Sequence, residues 1–263
     1  MKTKRMIIGL CAAFFAALLA FAPLAANAAE IHVMSSAGFK AAYLDLVQKF
    51  EAKTGHHVVN AWGPSMGATP QAVPNRLARG EPADVVIGVR EALDKLGADG
   101  KVDVKSETDL AKSLIGAAVR AGAPHPDMSS VEGFKRALEN ARSIAYSDSA
   151  SGVYIETVIY PKLGMSDAVK AKSRAIPADP VGEIVARGDA DLGFQQLSEL
   201  KPVKGIDLLG PIPAEVQKVT TFTAAIATSA KERAAGEALI AFLSAPEAAE
   251  AIRQSGMEPV KGE

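Results

Sequence analysis

The sequence predicts an α/β protein of two lobes, with a ligand cleft between them. Three observations lead there. Short apolar runs alternate with amphipathic segments from residue 31 onward, the pattern starts over near residue 114, and the last third returns to strands before closing on two helices. Alternation of this kind builds sheets with helices packed on their faces. Two such lobes in one chain leave a crevice between them, and ligands settle there and at the carboxyl ends of parallel strands.

The first lobe opens with Ile31 to Met34 as a strand and Ser35-Ser36-Ala37-Gly38 as a turn. Phe39, Tyr43, Leu46, Val47 and Phe50 then recur at helical spacing until Gly55 stops the helix. Val58 to Ala61 is a strand, Gly63 to Pro74 a loop rich in breakers, and a short helix follows to Arg79. Val85 to Val89 is a strongly apolar third strand, followed by a helix over Glu91 to Leu96. This order predicts a parallel sheet. The second lobe begins with a strand over Leu114 to Val119 and a loop over Gly122 to Pro126. Ser129-Ser130-Val131-Glu132 reads as a capping box opening a helix to about Ala141. Ser143 to Tyr146 is a strand, Ser147 to Gly152 a polar loop, and Val153 to Tyr160 a helix. Asp179-Pro180 supplies an N-cap and a proline at the first helical position, and that helix ends near Gly188. Leu192 to Gln195 is the next strand. Ile206 to Leu209 and Thr220 to Ala227 are strands of the last third. A helix over Lys231 to Leu243 follows, and Ser244 to Glu247 reads as a capping box for the final helix, which stops at Gly256. Residues 29–113 with 218–263 are expected to form lobe 1, and residues 114–217 lobe 2.

The N-terminus predicts export. Lys2, Lys4 and Arg5 precede an apolar run from Met6 to about Ala22, and Ala26-Asn27-Ala28 offers the small-x-small pattern of a cleavage site. Residues 1–28 therefore read as a signal peptide, cleaved near Ala28, for a periplasmic protein. The single cysteine, Cys11, lies inside the apolar run behind Leu10 and lacks the small residue that precedes a lipid-modified cysteine. The mature chain thus has neither disulfide nor thiolate chemistry. Net charge is −1 and both signs interleave along the chain, which argues against nucleic acid as a partner.

Three turns between strand and helix share one character: Ser35-Ser36-Ala37-Gly38, Gly63-Pro64-Ser65-Met66-Gly67 and Ser149-Ala150-Ser151-Gly152. The helix start at Asp179-Pro180-Val181-Gly182 is a fourth. Small residues let a ligand approach the backbone, and hydroxyls and free N–H groups at a helix start attract negative charge. Plain helix capping uses the same residues. Gly63 to Gly67 also fits the G-x-S-x-G elbow of serine hydrolases, but a histidine must follow the serine and an acid, and only His125 does, in a proline-flanked loop. His56 and His57 are adjacent, so their side chains diverge on a strand, and no cluster of metal-ligating residues accompanies them. Arg90 directly follows the third strand, where it can reach the cleft and grip a carboxylate in bidentate fashion.

Taken together, these segments resemble the molybdate-binding family of periplasmic solute-binding proteins. The resemblance covers nearly all of the mature chain. It is carried by the opening strand with Ser35-Ser36-Ala37, the Gly63 to Gly67 loop, Arg79-Gly80-Glu81-Pro82-Ala83-Asp84-Val85-Val86-Ile87, Ser147 to Gly152, Ala190 to Gly193, and Phe242 to Ala249. It implies the hinged type II periplasmic binding fold, each lobe a mixed sheet flanked by helices, and delivery of a small anionic solute to the permease of an ABC importer. The resemblance places serine hydroxyls and backbone N–H groups on the ligand at Ser36, Ser65, Ser151 and Val181. Ser35, Ala37, Met66, Ser149, Gly152, Pro180 and Gln195 complete the expected set, with Arg90 added from its position. The family's tyrosine falls within Gly193-Phe194-Gln195-Gln196, and Gln196 is its match. That departure admits two ligands, a molybdate- or tungstate-like oxyanion or a small organic di- or tricarboxylate. The expectation is a monomeric carrier, not an enzyme, without cofactor or direct protein–metal ligands. A secreted hydrolase using Ser65 is the distant alternative.

Overall fold

The computed structural model describes residues 28–177 and 179–260, so residues 1–27 of the expected signal segment lie outside the described residues. Two sheets carry the fold. The first contains β1 (Glu30–Ser36), β2 (His57–Gly63), β3 (Val85–Val89), β4 (Thr108–Ser113), β10 (Thr220–Ile226) and β11 (Glu258–Pro259), in the order β11-β4-β10-β3-β1-β2. The second contains β5 (Ile115–Arg120), β6 (Ile144–Ser147), β7 (Ser173–Ile176), β8 (Leu192–Gln196) and β9 (Ile206–Pro211), in the order β7-β6-β8-β5-β9. The helices are α1 (Lys40–Thr54), α2 (Val73–Ala78), α3 (Arg90–Ala98), α4 (Val131–Asn140), α5 (Ala150–Tyr154), α6 (Tyr160–Lys162), α7 (Asp167–Ala171), α8 (Val181–Ala186), α9 (Leu197–Leu200), α10 (Arg233–Leu243) and α11 (Ala249–Gln254).

Both sheets are covered on two faces. In the first, Phe39 with Tyr43, Leu46 and Phe50 of α1 packs with Leu239 and Leu243 of α10 against Val33 and Ile87. Met34, Val86, Leu93 and Leu96 form the opposite layer. Burial on both sides explains why β3 is apolar throughout, each of its five residues being buried. In the second sheet, Phe134, Leu138, Ile144 and Phe194 make one layer, and Ile176, Val181 and Val185 the other. Asp84 staples the first lobe. Its buried carboxylate accepts the N–H groups of His32 at 2.8 Å, Lys231 at 2.7 Å and Glu232 at 2.9 Å, tying β1 to the segment that opens α10. Charge-assisted bonds of this kind are the stronger class, so the aspartate before β3 has a structural reason.

The first sheet is mixed, as expected of each lobe: β1 is parallel to β2 and β3, as the order of the first three strands predicts, and β10 runs antiparallel to β3 and β4. Several local expectations need correction. The cap of α4 is Ser130, whose Oγ accepts from Gly133 N at 3.0 Å, one residue later than the expected box. Pro180, not Asp179, is the N-cap of α8. Ser244 is the C-cap of α10 and not the N-cap of the final helix; Ala245 opens a 3-10 turn ahead of α11. The helix expected over Val153 to Tyr160 is α5, a π-helical turn over Ile155–Ile159, and α6.

Candidate functional site

The carboxyl ends of six strands meet at one cleft of about 250 Å³. Ser36, Gly63 and Val89 end β1, β2 and β3, and Ser147, Ile176 and Gln196 end β6, β7 and β8; all six line it. The β1–β2 register sets Ser36 directly beside Gly63, so one wall is built by strand pairing alone. Open α/β sheets characteristically bind ligands at such strand ends.

The wall from the first sheet carries Ser36, Ala37, Lys40 and Trp62. Ser36 Oγ accepts from Gly38 N at 3.4 Å, capping the turn that precedes α1. Lys40 opens α1, and its ammonium stands 5.1 Å from the centre of the Trp62 ring. Gly63 is required here, because a Cβ would fall 1.8 Å from Gln71 O. The wall from the second sheet carries Ser147, Asp148, Ser149 and Ser151, then Asp179 and Pro180, then Gln195, Gln196 and Glu199. Ser147 Oγ and Ser151 Oγ lie 2.9 Å apart and share a hydrogen bond.

The most unusual group is Glu199 on α9. Gln195 bridges two elements. Its Oε1 accepts from Val181 N at 2.9 Å, and its Nε2 donates to Glu199 Oε1 at 2.9 Å. Glu199 also accepts from the N–H of Gln196, the N-cap of its own helix. Burial pushes the carboxyl up to about 7 from its ordinary 4.5, and the two hydrogen bonds, which favour the ionised form, offset only part of that. A carboxyl that titrates near neutrality can both take and return a proton. Beside it, Gln196 Nε2 donates to Thr220 Oγ1 at 3.1 Å, while its buried Oε1 has no hydrogen-bond partner among the described residues.

Seven of the expected site residues line the cleft: Ser36, Ala37, Ser149, Ser151, Pro180, Gln195 and Gln196. Six do not. Ser35 is buried and donates to Ser36 O at 3.2 Å. Ser65 Oγ accepts from Val89 N at 3.1 Å, so this serine holds the loop against the end of β3. Among the described residues it bonds no histidine, and His125, the histidine the hydrolase alternative calls on, pairs with Asp207 at 3.1 Å. Met66 packs against the first core. Gly152 lies under the cleft, where a Cβ would meet Ser147 O at 1.7 Å. The Val181 N–H is taken by Gln195. Arg90 is the plainest correction: its guanidinium bonds Asp109 and reaches Glu107 at 3.4 Å, so neighbouring acids claim the charge that was to grip a ligand.

Sequence reasoning missed Lys40, Trp62 and Glu199. Lys40 carried a signal: a cation in the first turn of a helix opposes the helix dipole, and a broken local rule points to function. Glu199 looked like an ordinary polar residue beyond a strand. Only the fold reveals that its half-buried carboxyl is enclosed by α8, β8 and α9 neighbours such as Gln195.

The description "bacterial extracellular solute-binding protein" matches residues 31–258. The chain belongs to that family. It is 49% identical to the aconitate isomerase of a Pseudomonas species over 247 residues, covering 93% of this chain and 94% of the relative. It is 30% identical to the molybdate-binding protein of Azotobacter vinelandii, over 88% of this chain and 91% of that one. The solved periplasmic molybdate-binding protein of A. vinelandii superposes with a TM-score of 0.69 at 24% identity, covering 86% of this chain and 98% of that one. The fold is therefore the two-lobed type II periplasmic binding fold anticipated from the sequence. The expectation of a carrier that is not an enzyme is overturned, because a relative of such identity over nearly all of both chains is named as an enzyme.

Proposed function

We propose that this protein binds a small tricarboxylate between its lobes and isomerises aconitate, interconverting the cis and trans forms. The observation that carries the reading is the 49% identity to an aconitate isomerase across almost the full length of both chains. The cleft suits the chemistry. Ser36, Ser149 and Ser151 offer hydroxyls and Lys40 an ammonium, groups that hold carboxylates. A carboxyl group that is half neutral at about pH 7 reduces the repulsion a second anion would meet there. The organic acid is favoured over the oxyanion because the oxyanion-binding relative is the more distant of the two, at 30% identity.

In this reading the signal segment is removed near Ala28, and the protein works in the periplasm as a monomer. Its lobes, residues 29–113 with 218–263 and residues 114–217, hinge on the strand connections and close on the ligand, which favours the closed state. The molybdate-binding relative supports a second reading, in which the same cleft delivers an anion to an ABC importer. One experiment separates them. Purified mature protein is titrated calorimetrically with aconitate, molybdate, tungstate and sulfate, and its effect on cis-aconitate is followed. We expect heat from aconitate only, and turnover to the trans acid. Tight molybdate binding with no turnover would establish the carrier reading in its place.

A further inference from the structure

We infer that Glu199 is the catalytic acid–base of the cleft, moving one proton between the two outer carbons of a bound aconitate. The assignment rests on the isomerase reading above and adds the residue and the step.

Aconitate is an alkene with carboxylates on both outer carbons and on the central one, and a methylene on one side. Its geometric isomers interconvert without oxidant or cofactor if one proton shifts across the allylic system. The Glu199 carboxylate takes a proton from the methylene, and that C–H electron pair becomes a π bond to the central carbon. The former π pair moves to the opposite outer carbon, which takes a proton back from the Glu199 carboxyl, either the one abstracted or one that the carboxyl has exchanged with solvent. One C–H bond breaks, one forms, and the double bond moves by one position. The new double bond is trans when the cleft holds the reacting arm with its carboxylate turned away from the central carboxylate.

The geometry points to Glu199 for three reasons. It lines the cleft from α9, an element tied to the first lobe: the neighbouring Ser198 donates its buried Oγ–H to Gly38 O at 2.6 Å. Its side-chain partner is a neutral amide, Gln195 Nε2, and among the described residues no lysine, arginine or histidine forms an ion pair with it. Its charge is thus not neutralised by a cation, unlike that of Asp109 or Asp191, which are held by arginines. Next to it, the buried Gln196 Oε1 has no hydrogen-bond partner among the described residues. The other charged groups on the cleft are Lys40, Asp148 and Asp179. Lys40 stands over Trp62, Asp179 is exposed, and Asp148 borders the Gly67 loop, where a Cβ on Gly67 would meet Asp148 O at 3.2 Å.

Glu199 has a second job that a test must separate. It is the third residue of α9 and bonds back to the N-cap N–H, as in a capping box. Glutamine serves that box as well as glutamate, so Glu199→Gln keeps the helix cap and removes the base. For wild type we expect turnover of cis-aconitate, incorporation of solvent deuterium into its outer carbons, and an acid limb in kcat/KM near pH 7. For E199Q we expect kcat to fall roughly 10²- to 10⁴-fold, the range for loss of a general base. Deuterium incorporation should be lost to the same degree, with the melting temperature unchanged and aconitate still binding within a few-fold. Glu199→Asp should recover part of the rate. An inactive wild type would overturn the isomerase reading and this assignment together. An active wild type with an E199Q variant of similar rate, or one still exchanging deuterium, would overturn the assignment alone.

Discussion

The two walls of the cleft are built from the same kind of element, a strand end followed by a helix start, yet they differ in chemistry. The wall from the first sheet ends β1 in Ser36 and adds Lys40, a hydroxyl and a cation. The wall from the second sheet ends β8 in Gln195 and Gln196 and adds Glu199, two amides and a carboxyl held near neutrality. Both walls carry hydroxyls that can hold a carboxylate, and the first adds a cation to them. The second is equipped to exchange a proton. A carrier needs only a hold on negative charge, so on the isomerase reading the reaction resides in one short helix, not in a new domain.

Substitutions on the two walls should therefore fail differently. The largest expected effect is structural. Gly152→Ala sets a methyl 1.7 Å from Ser147 O, a backbone atom that cannot step aside. Overpacking of this kind costs about 1–3 kcal/mol or more, and a lowered denaturation midpoint with lost ligand binding would show it. A stability unchanged by this substitution would mean that the turn is looser than drawn.

Gln195→Ala sharpens the contrast on the second wall. The bond from Nε2 favours the ionised Glu199, so removing it moves the carboxyl further above about 7. The base form then appears only at higher pH. The acid limb of kcat/KM should shift upward, with activity lost at pH 7 and regained at higher pH. The variant also leaves the Val181 N–H without its acceptor, worth about 1–3 kcal/mol of stability. An acid limb that stays in place would separate Glu199 from the rate.

On the first wall, Lys40→Met should raise KM several-fold and spare kcat, since one exposed charge contributes about 1 kcal/mol. Arg90→Met is the smallest effect. With its guanidinium held by Asp109 and Glu107, KM should stay within about two-fold. A larger loss from Arg90 than from Lys40 would reverse the assignment of the first wall.

How much of this was legible beforehand follows from where each signal lives. Strands buried on both faces, such as β3, advertise themselves as apolar runs. β4, Thr-Asp-Leu-Ala-Lys-Ser, has no such pattern, because its pairing with β10 and β11 is a tertiary fact. β7 has one buried residue at its end and reads as coil. The serine turns were visible, but not which hydroxyls face a ligand: Ser36 and Ser65 look alike in sequence, and only packing commits Ser65 to Val89 N. Gln196 stood out by replacing an expected tyrosine. Glu199 did not, since burial three residues further on is invisible to periodicity in a helix of four residues.

The most direct test of the cleft as a reaction site is proton NMR of cis-aconitate with purified protein in deuterium oxide. Catalysis at the cleft predicts trans-aconitate resonances growing at a rate proportional to protein, with deuterium entering the outer carbons and no change when metal chelator is added. A spectrum that matches the protein-free control after prolonged incubation, in a sample shown by calorimetry to bind aconitate, would contradict it and leave a binding protein only.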